Sequence, residues 1–366
     1  MKIIFKFSKK IIIFLLINIF VLEIFSFLLV KFKFVPGGLT PMVAFIADED
    51  FAVKRRKDTR FKFSSKCWNS TVYYNNQGLR SKYDIKTKKD KIRIVLLGDS
   101  MTENYQLSDD NDLASHIQRA IGFDKYEVIN FGFSSTGISE HINLYEKKIK
   151  ALKPDYLLYF PDTTDISDNY YLRKRPNQHM YKIENGKPVK LKKELDYWKN
   201  YNSPHNQFKR KYVYYVKKYS HFYKVYWAFW EGLYIKKQSL DKEKRKPTTI
   251  YSKHYVEQKK VYQHLVDKFK KKIDRTNTKL IVIKTLKSNE LNHFKTKDSK
   301  LFDDKVNFFK NSWKTEKYFD PMIDAVGYLK EKNKYEFPYL SFSCDTHYDT
   351  EGAIFYSKFI AKKIFN

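Results

Sequence analysis

The sequence predicts an α/β protein. The expected architecture is a three-layer α/β/α sandwich around a mostly parallel sheet, with one N-terminal transmembrane helix in front and a helical insertion within. Three observations carry this. The apolar run Ile94-Val95-Leu96-Leu97 ends abruptly in Gly98-Asp99-Ser100, as a buried strand does when it delivers a hydroxyl to a tight turn. Apolar strands then alternate with helical stretches, the rhythm of βαβ units. Finally, Leu280–Lys284 (LIVIK) resumes the apolar strand pattern after a long interruption.

The elements follow in order. Residues 1–33 form a tail and membrane anchor, within which residues 11–30 are apolar except for Glu23. Twenty residues at helical rise match a hydrocarbon core of ~30 Å. No small-residue cleavage site follows, so the anchor is expected to stay. Glu23 costs about 2.5–3.5 kcal/mol at mid-helix, which the surrounding Phe, Ile and Leu offset. Lys2, Lys6, Lys9 and Lys10 precede the span and Lys31 and Lys33 follow it, favouring an inside N-terminus with the main domain extracytoplasmic. Residues 34–90 read as a connector and N-terminal extension, with Pro36-Gly37-Gly38 at its start.

Residues 91–366 form the α/β domain. Ile92–Leu97, Tyr126–Phe131 and Asp155–Phe160 are expected strands. Leu107–Ile121 and Glu140–Leu152 are expected helices by their apolar spacing. The rhythm breaks over about 170–275, a stretch rich in Tyr, Lys, Trp and His. It reads as a helical cap with helices near Tyr212–Leu233 and Val256–Ile273 and no apolar strand. Glu351–Phe365 closes the chain as an amphipathic helix.

Composition excludes some functions. Lys and Arg number 71 against 41 Asp and Glu, a net charge of +30. The excess is spread evenly and no nucleic-acid recognition motif accompanies it, so a nucleic-acid partner is not expected. A lysine-rich surface would instead favour anionic lipid or acidic glycan. The two cysteines, Cys67 and Cys344, offer no metal-ligand spacing. The expectation is two buried free thiols, with a disulfide as the alternative in an oxidising compartment. No cofactor is expected.

Ser100 at a strand end, with Asp345 two residues before His347 near the C-terminus, supplies the parts for nucleophilic ester chemistry. Gly98-Asp99-Ser100-Met101-Thr102-Glu103 resembles the first block of the SGNH, or GDSL, hydrolase superfamily. Asp345-Thr346-His347-Tyr348-Asp349-Thr350-Glu351-Gly352 resembles its last block. Val128 to Gly137 and Pro154 to Asn169 resemble the second and third. Asn76-Gln77-Gly78-Leu79-Arg80 resembles an element that precedes the first block in membrane-anchored bacterial members. The likeness covers residues 72–169 and 278–366.

The resemblance implies an SGNH/flavodoxin-like fold, with Ser100 as nucleophile, His347 as base and Asp345 as its orienter. It implies an oxyanion hole formed by the N–H groups of Ser100 and of Ser135, which stands where the family has glycine. Thr164 completes that hole and stands where the family has asparagine. The implied activity is cleavage of carboxylic esters, with an ester-bearing glycan or lipid as substrate. The two departures keep a second reading, a weakened member acting as an acyltransferase or a glycan-binding assembly factor. The histidines at 179, 205, 221, 254 and 264 lack metal spacing and read as packing or surface groups. Tyr170, Tyr171, Arg173 and Arg175 could line the cleft or belong to a solvated loop.

Overall fold

Side chains alternate across a strand, so a strand apolar on both faces must be covered on both. That is the state of the central strands here. The computed structural model describes residues 2–365 except 33, 36–40, 66, 174–176, 193–194, 231–252, 288–289, 292–299 and 334–339. The chain divides into two units: residues 1–43, 62–66 and 200–247, and residues 44–61, 67–199 and 248–366.

The second unit begins with β1 (Phe45–Asp48) and β2 (Ala52–Arg55), which pair antiparallel. Next along the chain come β3 (Thr59–Ser64), whose residues 62–64 fall in the first unit, and β4 (Asn69–Tyr74). The extension expected as a connector is therefore strand-rich. Its signal was local: Ser70, Val72 and Tyr74 alternate inward along β4.

The main sheet contains β5 (Ile92–Gly98), β6 (Tyr126–Gly132), β7 (Tyr156–Phe160), β10 (Lys279–Ile283) and β11 (Lys317–Phe319). The hairpin of β8 (Tyr181–Glu184) and β9 (Lys187–Lys190) lies outside it. The spatial order is β6-β5-β7-β10-β11, with every pairing parallel. One face buries Val95, Leu97, Ile129, Phe131, Leu157, Tyr159 and Val282. The other buries Ile94, Leu96, Leu158, Phe160, Ile281 and Ile283. On the first face pack helices Ile138–Leu144, Lys253–Ile273 and Lys300–Trp313; on the second, Leu113–Ile121, Met322–Glu331 and Thr350–Ile360. The three-layer sandwich that the resemblance implies is present.

Element boundaries differ from expectation at several places. The helix expected over Tyr212–Leu233 is interrupted at Ser220, with one helix over Pro204–Tyr219 and another over 221–230, and residues 231–233 lie outside the described residues. The first layer helix starts at Leu113 rather than Leu107, because Asp112 caps it by accepting from Ser115 N at 3.1 Å. The β8/β9 hairpin stands where no strand was expected. Asn185 and Gly186 turn it with φ of 48° and 77°, the Asn-Gly signature of a tight hairpin. Helix Lys253–Ile273 packs in a sheet layer through Leu265, Val266 and Phe269 instead of belonging to a cap.

In the other unit, helix Lys2–Lys31 carries the apolar stretch. Its Lys9–Lys31 segment of 23 residues is long and apolar enough to cross a membrane. This unit also holds helix Pro204–Tyr219 and a helix over 221–230.

Strand order reverses at β5, whose successor β6 lies on one side while β7 lies on the other. Ligands of open parallel sheets bind beyond strand ends at such a reversal. Register sets Gly98 level with Gly132 and Phe160 there. A Cβ on Gly132 would stand 2.1 Å from Glu103 N, so only glycine lets β6 pass beneath the turn after β5. Gly132→Ala should destabilise the fold by about 1–3 kcal/mol, read from thermal or denaturant unfolding.

Candidate active site

Asp99 ends the turn after β5. Its Oδ1 accepts from Met101 N at 2.8 Å, capping the short helix Ser100–Glu103. Ser100 is therefore a first-turn residue, and its N–H has no acceptor within the helix. The side chain of Ser100 is partly exposed at this strand end.

His347 arrives from the other end of the chain. The loop before helix Thr350–Ile360 is closed by the bridge Ser341–Tyr348, and Asp349 caps the helix by accepting from Gly352 N at 2.9 Å. Asn104 also donates to Tyr348 O at 3.1 Å, tying this loop to the Ser100 turn. His347 Nε2 stands 2.7 Å from Ser100 Oγ, and its Nδ1 is hydrogen-bonded to Asp345 Oδ1. With Nδ1–H donating to the carboxylate, Nε2 is free to accept the serine proton.

Asp345 is held from its far side by Trp68 Nε1 at 3.2 Å and Gln106 Nε2 at 3.3 Å. Burial pushes its carboxyl up, but the hydrogen bond and charge of His347, with Gln106, hold it below its ordinary value. The neighbouring residues Cys67 and Cys344 form a disulfide, with Cα atoms 5.8 Å apart. The expected free thiols are thus corrected: neither cysteine sits in the core, and the bond fastens the His347 loop to the strand-rich extension.

The loop after β6 carries Ser135 in the left-handed region, at φ 63°. This is backbone that glycine adopts without cost. Three braces hold it. Ser134 N donates to Glu103 Oε2 at 2.7 Å, Gln178 donates to Ser135 O at 2.6 Å, and Thr136 Oγ1 lies 2.9 Å from His141 Nε2. Thr136 spends its own proton on Phe133 O, so His141 is the donor there. Burial pushes the His141 ring down to about 3, so it is neutral. Among the described residues, no group accepts from Ser135 N.

Thr164 stands differently. Its hydroxyl donates to Asp162 Oδ1 at 2.6 Å and accepts from Lys287 Nζ at 3.3 Å. Lys287 also pairs with Asp162 Oδ2 at 2.8 Å. Burial would lower Lys287, but Asp162 and Asp99 raise it above its ordinary value, so the ammonium persists. The sequence reading missed Lys287, Asp162, Trp68 and Gln106. Lys287 lies just past the β10 end, and strand-end position was the available signal.

The secondary candidates fall elsewhere. Tyr170 is fully buried and donates to Glu257, while Tyr171 is an exposed neighbour packed against its ring. Arg173 pairs with Asp168, and Arg175 lies outside the described residues. His254 lies 3.3 Å from Tyr170 Oη, and His179 N donates to Glu140. His264 lies against the Tyr181 ring, and His221 belongs to the unit that holds helix Lys2–Lys31. His205 also lies in that unit.

No family model and no curated protein matches the chain. Solved structures do resemble it. An acetyl xylan esterase aligns at 14% identity over 75% of this chain and 100% of its own, with a TM-score of 0.39. A lipase/acylhydrolase from Enterococcus faecalis aligns at 12% identity over 74% and 94%, TM-score 0.39. A catalytic mutant of the acetylxylan esterase Axe2 from Geobacillus stearothermophilus aligns at 11% identity over 76% and 95%, TM-score 0.39.

Two predictions follow from these contacts. Burial and the Asp162 charge raise the Asp99 carboxyl to about 7, against the pull of Lys287 and His347. A carboxyl raised in the fold binds more protons folded than unfolded, so stability falls as pH rises from about 4 to 7. Asp99→Asn keeps the cap acceptor and should flatten that decline, as measured by unfolding across this range. Cys67→Ser should cost about 2–5 kcal/mol of stability and loosen the hold on Asp345, read as a lower melting temperature that reductant no longer shifts.

Proposed function

We propose that this chain is a membrane-anchored serine hydrolase of carboxylic esters. The observation that carries the reading is the hydrogen-bonded series from Ser100 Oγ through His347 to Asp345. Ser100 Oγ attacks the ester carbonyl carbon while His347 Nε2 takes its proton. Asp345 holds the ring and offsets its new charge. The tetrahedral oxyanion faces the N–H groups of Ser100 and Ser135, donors already fixed before charge develops. The leaving alkoxide departs with the proton from His347. Water, activated by the same ring, then releases the acid from the acyl-serine.

The anchor is residues 11–30, and the domain lies outside the cytoplasm. The Cys67–Cys344 bond supports that placement, since such bonds persist in oxidising compartments. An ester-bearing envelope glycan or lipid is the substrate class that this location offers. One observation favours a second reading. The Thr164 proton is committed to Asp162, which leaves the oxyanion one donor short. In that reading turnover is weak, and the chain transfers acyl groups to a sugar hydroxyl or binds glycan during assembly.

The full-length protein in detergent should release p-nitrophenol from p-nitrophenyl acetate. Ser100→Ala should lower that rate on the order of 10⁴-fold or more. Equal rates in parent and variant would refute the nucleophile. A fluorophosphonate probe separates catalysis from binding: labelling at Ser100 marks a competent nucleophile, whether water or a sugar hydroxyl resolves the acyl-serine, and no labelling of folded protein marks the binding role.

A further inference from the structure

Glu23 is the one charge within residues 11–30, and the structure gives it a partner. Its carboxylate accepts from His221 N at 2.6 Å, Phe222 N at 2.8 Å and Ser220 Oγ at 3.1 Å. Ser220 Oγ in turn accepts from Tyr223 N at 3.0 Å. The first N–H groups of the 221–230 helix are thus satisfied by a carboxylate and a capping serine. An anion at a helix N-terminus is favourable, and the more so away from water. Glu23 lies eight residues before Lys31, about 12 Å along the helix axis. The turn between helix Pro204–Tyr219 and the 221–230 helix therefore meets the apolar helix well below its end.

Each of these two helices exposes a row of aromatic rings. Phe208, Tyr212, Tyr215 and Tyr219 recur at helical spacing along the first helix and are 48–73% exposed. Phe222, Tyr226 and Phe229 repeat the pattern on the second, 45–63% exposed. Residues 200–230 contain Lys209, Arg210, Lys211, Lys217, Lys218 and Lys224 and no Asp or Glu. Aromatic stripes with basic flanks suit the boundary between acyl chains and headgroups. Lysine stems reach back from that depth to place their ammonium groups among lipid phosphates.

We propose that residues 204–230 form a membrane-dipping hairpin, which lies in the leaflet at the C-terminal end of the apolar helix and contacts anionic phospholipid. The inference rests on reading residues 11–30 as a membrane span. Continuity with that span and the unbroken positive charge select lipid as the occupant.

The test uses the full chain in vesicles of phosphatidylcholine with phosphatidylglycerol, with acyl chains brominated or plain. Trp227 and Trp230 lie on the hairpin, whereas Trp68, Trp198 and Trp313 are buried elsewhere. Bromolipid should quench the parent, and Trp227→Phe/Trp230→Phe should lose that quenching. Removing phosphatidylglycerol should reduce it. Flotation with equal quenching in parent and double variant would overturn the hairpin alone. So would an unquenched hairpin with cross-linked dimers, which would place a second copy on this face. A chain that fails to float with vesicles would overturn the span, and the hairpin with it.

Discussion

The buried carboxylate of Glu103 is the contact on which the site's geometry depends. It closes the Ser100 helix and accepts from Arg55 Nε at 2.6 Å, Tyr74 Oη at 2.8 Å and Ser134 N at 2.7 Å. Burial alone would raise it, yet Arg55 and Ser134 hold it below its ordinary value. One anion thereby joins the strand-rich extension, the serine turn and the loop of Ser135. Removing one partner from such a buried pair typically costs about 3–5 kcal/mol, because the other charge is stranded. Arg80 reinforces the joint by donating to Glu103 O at 2.8 Å and Leu107 O at 2.5 Å. The Asn-Asn-Gln-Gly-Leu-Arg element is the turn that aims this arginine, with Gly78 at φ 73°.

Charge is arranged in a second way near Thr164. Buried Asp162 and partly buried Asp99 and Lys287 form a small group in which the ammonium is drawn to Asp162. Asp162 stays low because Lys287 and Thr164 outweigh its burial. Asp99 goes up in the same field. Lys287 acts on both carboxyls, holding Asp162 low and pulling Asp99 down against its burial.

Much of the fold was legible because the central strands are apolar on both faces and end in recognisable turns. The Ser100, Asp345 and His347 positions were legible because strand-end serines and an Asp-x-His loop have a spacing. The braces were not. Arg55, Tyr74, Trp68 and Gln106 act across long sequence separations, and an isolated sequence has no periodicity for them. The Asn185-Gly186 hairpin was readable but fell inside a stretch whose lysines and tyrosines suggested helices. The disulfide was undecidable by spacing, since two cysteines fit either state until Trp68 and Asp345 are seen side by side.

The placement of these parts along the polypeptide bears on its biosynthesis. Translation delivers the serine turn early and the imidazole loop near the end, and Cys67 waits across a separation of 277 residues for its partner. Domains generally fold as units, so this one closes only when both segments are present. A nascent chain that stops short of the final helix therefore presents a hydroxyl with no ring beside it. A chain cut before residue 341 carries Ser100 without its imidazole contact and Cys67 without its disulfide partner.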